Sequence, residues 1–106
     1  MEKTMKIKTI DINAKEWFDK VNGNSYFSAV IFINLGMKNS LEIKMPFQYG
    51  YGDHYIDMAK KELIERKLIK PEVYSNGLSE ALWAYCRENK IILRTNKQEG
   101  CLKREL

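Results

Sequence analysis

Residues 26–35 constrain this chain more than any other stretch. Phe27, Ala29, Ile31, Ile33 and Leu35 recur at every second position, while Val30 and Phe32 place apolar side chains on the opposite face as well. A period of two is the signature of a strand, and a strand that is apolar on both faces belongs inside a sheet. Gly36 with Lys38, Asn39 and Ser40 then reverses the chain. Beyond it Leu41, Ile43, Met45 and Phe47 alternate with Ser40, Glu42, Lys44 and Pro46. That pattern predicts a one-faced antiparallel partner, and so a hairpin over residues 26–47.

The flanking segments read less simply. Residues 5–12 predict a first strand whose alternation slips near Thr9 and Ile10, as an edge or a bulge would allow. Asn13 is placed to cap a short helix over residues 14–21 with Trp17, Phe18 and Val21 inward. After the hairpin, Asp53 is a plausible cap for a helix over residues 54–67, whose inner stripe is Tyr55, Ile56, Ala59, Leu63 and Ile64. Asp57 with Lys61 and Glu62 with Arg66 form i,i+4 pairs on its outer side. Leu78, Ala81, Leu82 and Tyr85 predict a second helix to about Asn89. Ile91, Ile92 and Leu93 then predict a strand, residues 96–100 a turn, and residues 101–106 a short last strand. The expected architecture is α+β: a single domain over residues 1–106, with an antiparallel sheet around a central hairpin and two longer helices packed mainly on one face.

With 106 residues and 44% hydrophobic content, the chain can bury a core without metal or disulfide staples. Its net charge of +4 permits a polyanionic partner without demanding one, and excludes a strongly acidic DNA mimic. Cys86 and Cys101 lack metal-ligand spacing, and the single histidine completes no familiar zinc set. The opening residues are polar and no apolar run reaches the length of a membrane span. A cytoplasmic protein with reduced thiols is therefore expected, with no metal, no cofactor and no membrane partner.

Two constellations suggest chemistry. The first is residues 45–55, where Phe47, Tyr49, Tyr51 and Tyr55 are interleaved with Gly50 and Gly52 at a strand-to-helix junction. Tyr49, Tyr51 and Tyr55 there are candidates for stacking on bases or for anchoring a protein partner. The bland alternative makes Phe47 and Tyr55 core and the glycines hinges. The second is the basic end: Arg87, Lys90, Arg94, Lys97, Lys103 and Arg104. If the last two strands pair, Arg94 and Arg104 share a face near Lys97 and make a phosphate-binding cluster, against the alternative of a solvated sheet edge. Asp53 and His54 invite a hydrolase reading, but a general base needs an oriented partner that spacing alone does not supply. Trp17 and Trp83 read as core.

Residues 14–29, followed by Pro46, Phe47, Gln48, Tyr49, Gly50, Tyr51 and Gly52 and by the closing residues 100–106, resemble small uncharacterised accessory proteins of phages and mobile genetic elements. The resemblance implies a small soluble accessory protein that acts on phage or host nucleic acid or blocks a host enzyme. It carries no activity, and no residue role is transferred with it. The leading expectation is a non-enzymatic protein that binds nucleic acid through Tyr49, Tyr51, Tyr55, Arg94, Lys97, Lys103 and Arg104. The rival is a protein-binding inhibitor of a host defence nuclease or other host enzyme.

Overall fold

Strand pairing organises the molecule. The structure, a computed structural model, describes residues 6–50, 52, 54–69 and 79–106. Its elements are β1 (Thr9–Asp19), β2 (Asn24–Ile33), β3 (Leu41–Tyr49), α1 (His54–Glu65), α2 (Ser79–Glu88), β4 (Ile92–Gln98) and a closing 3-10 turn, Lys103–Glu105. The four strands form one sheet in the order β3-β2-β1-β4. β2 is antiparallel to both β1 and β3, whereas β4 runs parallel to β1. The class is α+β as expected. However, the sheet is mixed rather than antiparallel, the helices are short, and of the hairpin strands only β2 is interior.

β2 pairs on both sides, as its two-sided apolar pattern requires. One sheet face carries Ile10, Ile12 and Ala14 from β1, Phe27, Ala29, Ile31 and Ile33 from β2, Ile43 and Met45 from β3, and Leu93 from β4. Tyr55, Ile56, Ala59 and Leu63 of α1 and Leu82 and Cys86 of α2 complete this buried cluster. Both described helices therefore cover the same face. The opposite face carries none of them.

Two elements differ in kind from expectation for identifiable reasons; in addition, β1 is interior rather than at an edge, and β4 continues through residues 96–98, where a turn was expected. Residues 14–19 continue β1 instead of forming a helix: Lys15, Trp17 and Asp19 pair with Ser28, Tyr26 and Asn24. Nonlocal pairing with β2 outweighs the local helix preference of Ala14, Lys15 and Glu16, as tertiary context commonly does. Residues 101–106 form no strand. Their only regular piece is the 3-10 turn, in which the Glu105 carboxylate accepts the N–H of Leu102.

The hairpin register holds one irregularity. Ala29 pairs with Met45 but Phe27 pairs with Gln48, so β3 has one more residue than β2 across this step. This is a β-bulge, and it falls at Pro46 and Phe47 on an edge strand, where a proline that donates no ladder bond is tolerated. Phe47 was expected to continue the inward series of Ile43 and Met45. The bulge instead turns it outward beside Tyr26. Asp53, the expected cap of α1, lies outside the described residues.

Candidate functional site

The uncovered sheet face is where the chemistry-bearing side chains gather. Register places Tyr49, Tyr26 and Trp17 in one row across β3, β2 and β1, with Phe47 alongside. The Trp17 and Tyr26 rings stack with centroids 5.6 Å apart, and Tyr26 and Phe47 stack at 5.0 Å. Tyr49 meets Tyr26 edge-on at 5.8 Å. Trp17 and Phe47 also approach to 6.4 Å with their planes tilted by 38°, so the three rings make a short ladder folded into a compact cluster rather than a straight column, each contact contributing roughly 0.5–1.5 kcal/mol beyond area burial. The ammonium of Lys103 closes the β1 end, 5.5 Å from the centre of the Trp17 ring. At the β3 end the rings reach water: Phe47 is 42% and Tyr49 56% exposed.

Beside the ladder a groove of about 670 Å³ crosses the same face. Its floor includes Asn13, Ser28, Val30 and Asn96, with Phe47 and Lys44 on the β3 side and Leu106 on the other. The tail reaches this face because Cys101 donates its N–H to the Glu16 carbonyl at 3.0 Å, after which the chain crosses Trp17. Lys15, Lys44, Lys103 and Arg104 are all exposed, and the first two project between the strands' polar positions on this face.

Acidic groups at the same end are tied into structure. Asp19 accepts from the side-chain amide of Asn22 at 2.8 Å and from the N–H groups of Val21 and Asn22 at 3.0 and 3.3 Å. The Asn22 side-chain bond foremost, with those N–H groups and the nearby Lys103 assisting, holds the Asp19 carboxyl below the ordinary carboxylate range. It stays ionised and fixes the β1–β2 turn.

The residues singled out from sequence divide sharply. Tyr49 stands exposed at the ladder. Tyr55 is core, 5% exposed on α1, because the second position of that helix points at the sheet. Tyr51 lies outside the described residues. Lys97 is on the covered face, only 14% exposed, and bonds the Gly52 carbonyl at 3.0 Å and the Glu16 carboxylate at 3.4 Å, with Glu99 at 3.5 Å. It braces β1, β4 and the approach to α1. Arg94 does occupy the open face, but Asp11 holds it at 2.6 and 3.0 Å in a two-pronged pair. That pair raises the guanidinium's pKa above its already high value. Asp11 and Trp17 are six residues apart on β1, so Arg94 sits roughly 20 Å from Lys103 along the strand. The expected cluster of Arg94, Lys97 and Arg104 is therefore dispersed: alternation along β4 sends Arg94 and Lys97 to opposite faces, and the last strand that was to bring Arg104 beside them is absent from the described fold.

Trp17, Tyr26 and Phe47 are the residues that sequence reasoning missed. Their signal was present as period-two spacing once β1 is extended to Asp19, which places Trp17 opposite Tyr26. Trp83, expected in the core, is 39% exposed on α2. His54 opens α1 with its ring edge-on to Phe27 at 6.0 Å, and no hydrogen bond from another described residue reaches it. Cys86 and Cys101 are unbridged and buried. Among the described residues no group of three potential ligands is placed to hold a metal ion, and no helix is long and apolar enough to cross a membrane.

In comparisons with family models, with curated proteins and with solved structures, nothing matches this chain.

Proposed function

We propose that this protein is a non-enzymatic binding module that holds single-stranded nucleic acid on the open face of its sheet, in the phage-type accessory setting that the sequence resemblance implies. The observation that carries the reading is the ladder of Trp17, Tyr26 and Phe47, with Tyr49 beside it, on a face that no described helix covers. Unpaired bases have two free faces, and stacking on an aromatic ring is worth roughly 1–3 kcal/mol per base. The inner faces of the ladder are occupied by its own rings. A base therefore adds at the exposed β3 end, over Phe47 or Tyr49. Lys15, Lys44, Lys103 and Arg104 supply phosphate contacts around it. Four such contacts on a single strand give a salt slope of about −2 to −3 in log affinity against log salt.

The test is fluorescence anisotropy of labelled single-stranded DNA and RNA across a salt series. Affinity is expected to fall with that slope, and Phe47→Ala or Tyr49→Ala to weaken binding about tenfold, at a cost of several degrees in melting temperature from the ring contacts removed, with the fold retained by circular dichroism. Absence of binding to either nucleic acid at low salt rejects the reading.

One observation favours the rival, a protein-directed inhibitor of a host nuclease. Phe18, Val21 and Leu102 are half-exposed or more, and line an apolar pocket of about 430 Å³ next to Trp17. Exposed apolar residues of this kind suit a protein contact. If oligonucleotides fail to bind, while a Val21→Asp variant releases a stoichiometric nuclease partner held by the wild-type chain, the rival replaces the first reading.

A further inference from the structure

Asn13 and Asn96 are register partners on the parallel strands β1 and β4, and both project from the open face. Their side chains therefore stand about one strand spacing, ~4.8 Å, apart. Ser28 lies on the same face of β2, one row nearer the aromatic ladder. All three line the groove. Neither amide makes a side-chain hydrogen bond to another described residue, so two pairs of donors and two carbonyl acceptors are presented to whatever enters. At that spacing, two amides do not serve a packed core. They match the hydrogen-bonding edge of a planar heterocycle, which is how proteins read unpaired bases whose faces are stacked elsewhere.

From this we infer that the groove seats one unpaired base, with its edge read by Asn13 and Asn96, so that binding is base-selective rather than uniform along the strand. The inference rests on the reading of this face as a nucleic-acid surface, and adds a specificity site to it. A base standing with that edge toward the groove floor has Phe47 on one side of the groove, and Lys44 and Lys15 are within the same pair of rows for the flanking phosphates. A base whose edge carries the wrong donor pattern leaves amide groups unpaired in contact with it, which is the physical source of discrimination.

The experiment measures affinity for short homopolymers of A, C and T with the wild-type chain, with Asn13→Ala/Asn96→Ala, and with Asn96→Asp, each checked for folding by circular dichroism. The wild type is expected to separate its best from its worst homopolymer by about tenfold or more. The double alanine variant should compress that spread to about twofold, with its affinity for the worst homopolymer and its salt slope unchanged. Asn96→Asp removes donors while keeping shape, and is expected to alter the rank order. Equal binding of the three homopolymers by the wild type, or a preference that survives in the double variant, overturns the inference and leaves nucleic-acid binding standing. Failure of all three to bind at low salt rejects the underlying function itself.

Discussion

Replacing Asn34 tests the fold at the point where β1 is pinned to the end of β2. Asn34 is fully buried and its φ of 53° lies in the left-handed region. Its Oδ1 accepts the N–H of Lys8 at 2.7 Å and of Thr9 at 3.3 Å, its Nδ2 donates to the Lys6 carbonyl at 2.9 Å, and its own N–H donates to the Thr9 carbonyl at 2.9 Å. Asn34→Ala deletes the three side-chain bonds. Two short bonds at about 1 kcal/mol each and a longer one at about half that give about 2.5 kcal/mol. The left-handed backbone adds about 1–2 kcal/mol for alanine. Asn34→Gly loses the same bonds but tolerates the backbone, at a cost in unfolded-state entropy of up to about 1 kcal/mol. Alanine is therefore expected to destabilise by about 3.5–4.5 kcal/mol, lowering the melting temperature by roughly 15–20 °C, with glycine milder by about 1 kcal/mol. Urea unfolding followed by circular dichroism reads both, through midpoints at an unchanged slope. Losses below about 0.5 kcal/mol for both variants would refute the clamp, and alanine milder than glycine would refute the backbone argument.

Two further outcomes follow from packing and from burial. In Gly50→Ala the new methyl lies 2.5 Å from His54 Cδ2 and 2.7 Å from Phe27 Cε1, so a loss of about 1–3 kcal/mol is expected. The same change in a His54→Ala background should cost less, and equal costs in the two backgrounds would show that the imidazole is not the obstacle. Burial pushes the Cys86 thiol up from 9.0 to about 11. Above pH 9 the unfolded chain releases this proton while the native chain holds it to about pH 11, so the native state binds more protons and stability falls across that window. Denaturation midpoints measured from pH 8 to 11 should decline less steeply in Cys86→Ala, and parallel declines would remove the assignment.

Local patterning made some of this legible. The two-sided apolar run of β2 announced an interior strand, and the helical spacing of Tyr55, Ile56, Ala59 and Leu63 announced the inner face of α1. What stayed hidden depended on partners distant in the chain. Residues 14–19 have the composition of a helix, and only their pairing with β2 makes them strand and brings Trp17 against Tyr26. Tyr49 and Tyr55 looked alike in sequence, yet one ends an edge strand and the other begins a helix against the sheet, so one is wet and the other dry. The cations of the C-terminal half were counted correctly but their directions were not. Alternation along β4 sends Arg94 and Lys97 to opposite faces.

The surplus residue in β3 inverts the parity of the strand. Through Met45 the odd-numbered side chains look inward, and from Phe47 onward they look outward. Excising Pro46 would give a regular strand, one residue shorter, that still shows both rings to water. Forcing all nine residues into an unbroken ladder would turn both rings inward and send Gln48 out in their place. The same string of amino acids thus encodes two different exteriors, and which one the solvent meets is decided by how a single peptide unit is accommodated.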